Sequence, residues 1–204
     1  MRKAFVAAME LGRRVSKMEN EVVCLITEPS RYKNRLCSLP RGFKSISSSS
    51  LARAAIFWRG GFDILKLEDL CSDDCATGII KVGRINMLLV SGYLDINLGV
   101  VPAWLIKIIN YSNKKKYPIL FGLDTNAHST LYGPVSNTRG EELEEFIVTN
   151  GLNTVNVGET PTFETIRGGK LITSFIDVTL TYKLTNSIKD WWVDQSYNLS
   201  LIHI

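Results

Sequence analysis

Apolar residues in this chain arrive mainly in strand-length runs, and that spacing constrains the fold more than any other feature. Val22 to Thr27 is apolar on both faces, the pattern of a central buried strand, and it ends at Glu28-Pro29, where proline blocks further ladder bonding. Pro118 to Leu123 is a second buried run and passes directly into Asp124. Ala54 to Trp58, Ile64 to Leu67, Ile79 to Val82 and Ile85 to Tyr93 form a strand-rich block, with Gly83-Arg84 as a hairpin turn between the last two. Leu152 to Val157 and Ile172 to Thr181 follow, with a turn at Gly168-Gly169 between them; Ile188 to Val193 and Leu199 to Ile204 read as short final strands. Arg31 to Ser50, with Pro40 and Gly42, reads as an irregular connection.

Helical spacing appears in three places. Phe5, Ala8, Met9, Gly12 and Val15 open the chain with an amphipathic helix, and Trp104, Leu105, Ile108 and Ile109 mark a second between Pro102 and Ser112. A third has Leu143, Phe146 and Ile147 on its apolar face. Thr138-Arg-Gly-Glu141 caps its start as a capping box and Gly151 closes its end. Hairpins thus alternate with strand–helix–strand crossings. That pattern predicts a layered α/β fold with mixed sheets in one domain, residues 1–204.

Composition excludes several functions. No apolar run approaches the roughly 18 residues that span a bilayer, and the N-terminus lacks the apolar core of a secretory signal. Cys24, Cys37, Cys71 and Cys75 lack zinc-site spacing and read as free thiols of a reducing compartment, inside the cell in nucleus or cytoplasm. Glycine patterns that cradle nucleotides are absent. With 24 Lys and Arg against 20 Asp and Glu, the net charge of +4 permits a polyanionic partner without requiring one. Lys114 to Lys116 sit where a helix end favours positive charge.

The chemistry concentrates in three acidic residues: Glu28 just after Val22–Thr27, Asp124 just after Pro118–Leu123, and Asp177 within Ile172–Thr181. Carboxylates at strand ends are rigidly held yet open to solvent, and their hard oxygens suit Mg²⁺. Asn126 and His128 follow closely in Gly122-Leu-Asp124-Thr-Asn126-Ala-His128. Asp124 and Asn126 either share one face of extended backbone, where one positions a water and the other a phosphate oxygen, or form an ordinary Asx turn.

These residues fall into a longer ordered series. Thr27-Glu28-Pro29, Ser91-Gly-Tyr93, Asp124-Thr-Asn126-Ala-His128, Leu131-Tyr-Gly133, Asn137-Thr-Arg139-Gly140, Thr160-Pro-Thr-Phe163, Phe175-Ile-Asp177-Val-Thr-Leu180 and Asp190-Trp191 follow one another along nearly the whole chain. The series resembles the endonuclease domain of non-LTR retrotransposons. That domain belongs to the endonuclease/exonuclease/phosphatase superfamily, with apurinic-site endonucleases and deoxyribonuclease I. The resemblance implies a four-layer α/β sandwich with two packed mixed sheets. It implies Mg²⁺ (or Mn²⁺) held by Glu28, a scissile phosphate touched by Tyr93, an attacking water oriented by Asp124 and a phosphate oxygen held by Asn126. Asp177 would orient a general acid–base histidine near the C-terminus. His128 and Arg139 would lie against substrate. The partner would be duplex DNA, nicked to leave a 3′-hydroxyl, with a reverse-transcriptase domain in the full element.

Departures from the family pattern set further expectations. The family opens with a strand whose Asn helps hold the metal, and here Met1 stands just past it, which would leave a neighbouring strand edge unpaired. The family closes with Ser-Asp-His; Ser200 fits, but Leu201 and Ile202 stand at the last two positions and His203 comes one residue late, on the opposite face of a strand. A positioned acid–base group typically contributes 10²–10⁴-fold, so impaired catalysis is expected. The alternatives are a catalytically inactive DNA-binding remnant and a small-substrate phosphatase of the same superfamily. Thr160-Pro-Thr-Phe163 and the capped helix weigh against the phosphatase.

Overall fold

Alternation along two neighbouring strands sorts the core into layers. The computed structural model describes residues 11–18, 21–33, 35–36, 42–184, 188–194 and 202–203. In the chain order of the strands, β1 is Val22–Thr27, β2 Arg31–Tyr32, β3 Arg35–Leu36, β4 Lys44–Ile46, β5 Ala54–Arg59, β6 Ile64–Lys66, β7 Cys75–Val82, β8 Ile85–Tyr93 and β9 Ile119–Asp124. After these come β10 (Asn153–Thr154), β11 (Phe163–Arg167), β12 (Lys170–Ser174), β13 (Asp177–Tyr182), β14 (Trp192–Val193) and β15 (Ile202–His203). Helix α1 covers residues 11–17, α2 Ala103–Lys115 and α3 Thr138–Thr149.

Leu88 and Val90 of β8, with Ile119, Phe121 and Leu123 of β9, face Leu105, Ile108 and Ile109 of α2 and Leu143 and Ile147 of α3. The intervening Leu89 and Leu120 face the other way, against Ala54, Ile56 and Trp58 of β5 and Leu25 of β1. The outer face of β5, through Ala55 and Phe57, packs with Cys24, Ile26 and Leu11 of α1. The order is therefore helix, sheet, sheet, helices: a four-layer α/β sandwich. The larger sheet runs β10-β13-β9-β8-β7-β6 and the smaller β1-β5-β4. Helix α2 carries the chain across between β8 and β9, which pair in parallel, while the other pairs are antiparallel. The sheets approach closely at Gly122, where a Cβ would lie 3.0 Å from that of Leu25.

Several elements differ from the sequence reading for visible reasons. Every residue of β1 is half-buried, and among the described residues β1 pairs only with β5 and stands at the edge of the smaller sheet, where the run predicted a central strand. The run Ile172 to Thr181 breaks in two. Phe175 and Ile176 leave the ladder because Ile176 donates its N–H to Thr162 Oγ1 and accepts the Thr125 N–H. A hairpin of β11 and β12 results, turning at Gly168-Gly169, and Asp177 becomes the first residue of β13. Helix α3 is capped one residue earlier than the capping box implied. Asn137, not Thr138, accepts the Gly140 N–H at 2.8 Å. Its C-terminus follows the expected glycine exit: Gly151 has φ +65°, Leu152 N–H bonds Ile147 O and Gly151 N–H bonds Val148 O. The segment read as an irregular connection holds β2, β3 and β4. No helix among the described residues is long and apolar enough to cross a membrane.

Candidate active site

Strand register brings three of the expected residues into one row. Tyr93 stands beside Asp124 across the parallel β8–β9 pair, and Asp177 stands beside Asp124 across β9–β13. All three lie at the same end of the larger sheet, the carboxyl end of the parallel pair, where α/β proteins bind ligands. Glu28 arrives from the smaller sheet, directly after β1. Its N–H donates to Arg53 O at 2.7 Å, and Ser91 Oγ bridges the sheets to Ile26 O at 3.0 Å just before it. Glu28 has φ +46°, a left-handed conformation that costs a non-glycine residue on the order of 1 kcal/mol or more.

The loop after β9 takes the Asx turn of the two sequence readings, and the extended-backbone reading of Asp124 and Asn126 does not hold because the chain turns left-handed at Asn126. Asp124 Oδ1 accepts the Asn126 N–H at 3.1 Å, which is an Asx turn, and Asn126 takes φ +46°, which Asn tolerates. The turn leaves the Asn126 side chain near Tyr93, where its amide favours the ionised phenol; Asn126 Nδ2 donates to Leu94 O at 3.2 Å. Thr125, fully buried between them, anchors the turn by donating N–H and Oγ1 to Ile176 O.

Electrostatics shows these groups to be close. Asp124, 9% exposed, has its carboxyl pushed up to about 6 by burial first and by the charge of Glu28 second, while the Asn126 N–H opposes the rise. The Tyr93 phenol is raised by burial, then by Glu28, and is held back by the Asn126 amide. The carboxylates of Glu28 and Asp124, close enough for the charge of Glu28 to act on Asp124, offer hard oxygen donors of the kind a divalent cation takes, while the neighbouring Arg53 is bound to Asp74 and Asp95. Among the described residues there is no group of three or more His, Cys, Asp or Glu side chains placed to hold a metal. Glu28 and Asp124 would therefore need water to complete a cation's shell, as Mg²⁺ commonly accepts.

His128 and Arg139 take other positions. His128 acts through its backbone: its N–H donates to Asn137 Oδ1 and its carbonyl accepts the Asn137 N–H at 3.0 Å. Arg139 donates to Leu98 O, Leu94 O and Asp95 O, and at 3.5 Å to Thr125 O, pinning the loop after β8 to the loop after β9. Asp177 is held by its backbone, with its N–H on Thr162 Oγ1 at 3.0 Å and its carbonyl accepting Asn156 Nδ2 at 2.9 Å. Ser200 and Leu201 lie outside the described residues, as do the side chains of Ile202 and His203; β15 places the His203 backbone opposite Trp192. Trp191 donates its Nε1 to Thr179 Oγ1 and is partly buried, while Trp192 is exposed. Sequence reasoning gave no role to Arg53, Asp74, Asp95 or Asn156. Arg53, Asp74 and Asp95 meet one another, and Asn156 meets the β13 backbone, through contacts between distant segments that no periodicity records.

Residues 87–200 match a family model described as endonuclease-reverse transcriptase. The endonuclease domain of TRAS1, a telomere-specific non-LTR retrotransposon, is similar with a TM-score of 0.77 and 28% identity over 93% of this chain and 85% of that one. A mannosyl-6-phosphatase from Bacteroides thetaiotaomicron (TM-score 0.58, 15% identity, 88% and 78% covered) shares the fold. So does an endonuclease/exonuclease/phosphatase family protein from Leptotrichia buccalis (0.56, 10%, 89% and 83%). No curated protein matches the chain.

Proposed function

Because the chain belongs to the endonuclease-reverse transcriptase family, we propose that it is a Mg²⁺-dependent phosphodiester hydrolase that nicks duplex DNA on behalf of a retroelement, beside a reverse-transcriptase domain in the full element. The observation that carries the reading is the convergence of Glu28, Tyr93, Asp124 and Asn126 at one sheet end, with Asp177 beside Asp124 in register. Glu28 would hold Mg²⁺, with Mn²⁺ as a substitute. When bound, the ion neutralises charge building on the phosphorus and stabilises the leaving oxygen. Asp124 orients the attacking water and takes its proton, and burial makes its carboxylate a stronger base than a free one. Asn126 and Tyr93 donate to the non-bridging phosphate oxygens. The water oxygen bonds phosphorus as the P–O3′ bond breaks, leaving a 5′-phosphate, and the departing O3′ takes a proton from solvent to become a 3′-hydroxyl. The family's terminal histidine position carries Ile202, so the acid–base assistance that Asp177 would orient is missing and turnover falls by roughly 10²–10⁴.

Nicking of supercoiled plasmid in Mg²⁺ tests this. Slow relaxation that stops with EDTA and with Asp124→Ala supports it. Salt-dependent duplex binding without cleavage favours the inactive remnant, and faster hydrolysis of a small phosphoester than of duplex DNA favours the phosphatase.

A further inference from the structure

The site residues contributed by the two sheets are joined through one residue that no step above uses, by its carbonyl and its side chain together. Arg53 precedes β5, and its backbone O accepts the Glu28 N–H at 2.7 Å. Its guanidinium grips Asp74 with two arms, Nε to Oδ1 at 2.5 Å and NH2 to Oδ2 at 2.8 Å. Its NH1 reaches Asp95 Oδ2 at 2.6 Å. The Asp74 carbonyl in turn accepts the Tyr93 N–H at 2.8 Å, and the guanidinium carbon lies 4.6 Å from the centre of the Tyr93 ring. One cation thus bonds the residue that anchors the Tyr93 backbone and covers the ring of Tyr93 itself.

We propose that Arg53 is a positioning residue for the phosphodiester reaction: clamped by Asp74 and Asp95, it fixes the Tyr93 ring against the Glu28–Asp124 site. The proposal deepens the nuclease reading and depends on it for its kinetic consequence. Two simpler roles fit less well. A direct phosphate contact favours net positive charge, but three of the five guanidinium N–H groups already bond carboxylates, and two Asp around one Arg leave the cluster at −1. An ordinary surface ion pair contributes little and has no reason to cover an active-site ring. A planar fork that grips one carboxylate with two arms while stacking on an aromatic is a geometry Lys does not reproduce.

The test compares Arg53→Met and Arg53→Lys with the wild-type chain, using folded protein confirmed by circular dichroism. Aromatic NMR signals of Tyr93, assigned with Tyr93→Phe, report the ring. Plasmid nicking in Mg²⁺ reports kcat and KM separately. Arg53→Met is expected to shift the Tyr93 resonances and speed ring flipping, and to lower kcat on the order of tenfold to a hundredfold with KM little changed, because small misplacements of reacting groups have that effect. Arg53→Lys restores the charge without the fork and recovers only part of both. Unmoved Tyr93 signals in a folded Arg53→Met overturn the proposal, as does a rise in KM at constant kcat, which would make Arg53 a DNA contact. If Arg53→Met does not fold, Asp95→Asn releases one arm, and unmoved Tyr93 signals there overturn it equally. A wild-type chain that does not nick DNA counts against the nuclease reading, while the NMR comparison still decides what Arg53 does to Tyr93.

Discussion

Replacing Asp124 with Asn should stabilise the protein while abolishing its chemistry, and pH should control by how much. The carboxyl ordinarily titrates at 3.8 and is pushed up to about 6 in the fold, because it is buried and faces Glu28. Between those values the folded chain holds a proton that the unfolded chain has released, so stability falls as pH rises through the window from about 4 to 6 and then levels off. A gap of roughly two units, at about 1.4 kcal/mol each, makes the ionised group cost about 3 kcal/mol near neutrality. At 9% exposure little of this is screened by solvent. Asn is neutral throughout and its oxygen still accepts the Asn126 N–H. Urea unfolding in EDTA should therefore show Asp124→Asn about 3 kcal/mol more stable than wild type at pH 7.5 and nearly equal at pH 4. Saturating Mg²⁺ should narrow the gap at pH 7.5, since a ligand bound only by the native state stabilises it. A difference that does not vary with pH, or a variant less stable than wild type at pH 7.5, would refute the reasoning.

Other perturbations have directions fixed by the same geometry. Glu28→Gly relieves both the left-handed backbone strain and the repulsion on Asp124, so thermal unfolding should show stability at or above wild type together with loss of Mg²⁺-dependent nicking. Gly140→Ala would place a Cβ 1.6 Å from the His128 carbonyl oxygen, and chemical denaturation should report a loss of about 3 kcal/mol or more. Asn137→Ala removes the cap of α3 and should cost about 1–2 kcal/mol in the same assay. Burial pushes the Cys24 thiol up to about 12, so iodoacetamide at pH 8 should leave it unmodified in the native protein and alkylate it once urea unfolds the chain.

The layered α/β fold was legible because β8 and β9 are continuous apolar runs, as strands covered by a core on each face must be, and because α2 and α3 carry clear helical faces. The acidic strand ends were legible too: Asp124 and Glu28 occupy the positions that their apolar runs announce. What the sequence hid is pairing between distant segments. Nothing in Ile172 to Thr181 shows that Thr162 intercepts Ile176 and splits the strand. Nothing around Arg53 reveals Asp74 and Asp95, which lie 21 and 42 residues further along. Asn137 and Thr138 both suit a helix cap, and the choice fell to Asn137 because its side chain also meets the His128 N–H.

Arg139 gives the rim of the site a mechanical property. Its single planar group is tied to carbonyls of Leu94, Asp95 and Leu98 on one side and of Thr125 on the other. Those two stretches are the immediate sequels of Tyr93 and Asp124, so a load on either is passed through one guanidinium to the backbone beside the other. The two loops therefore move as one body: whatever displaces the first also displaces the second.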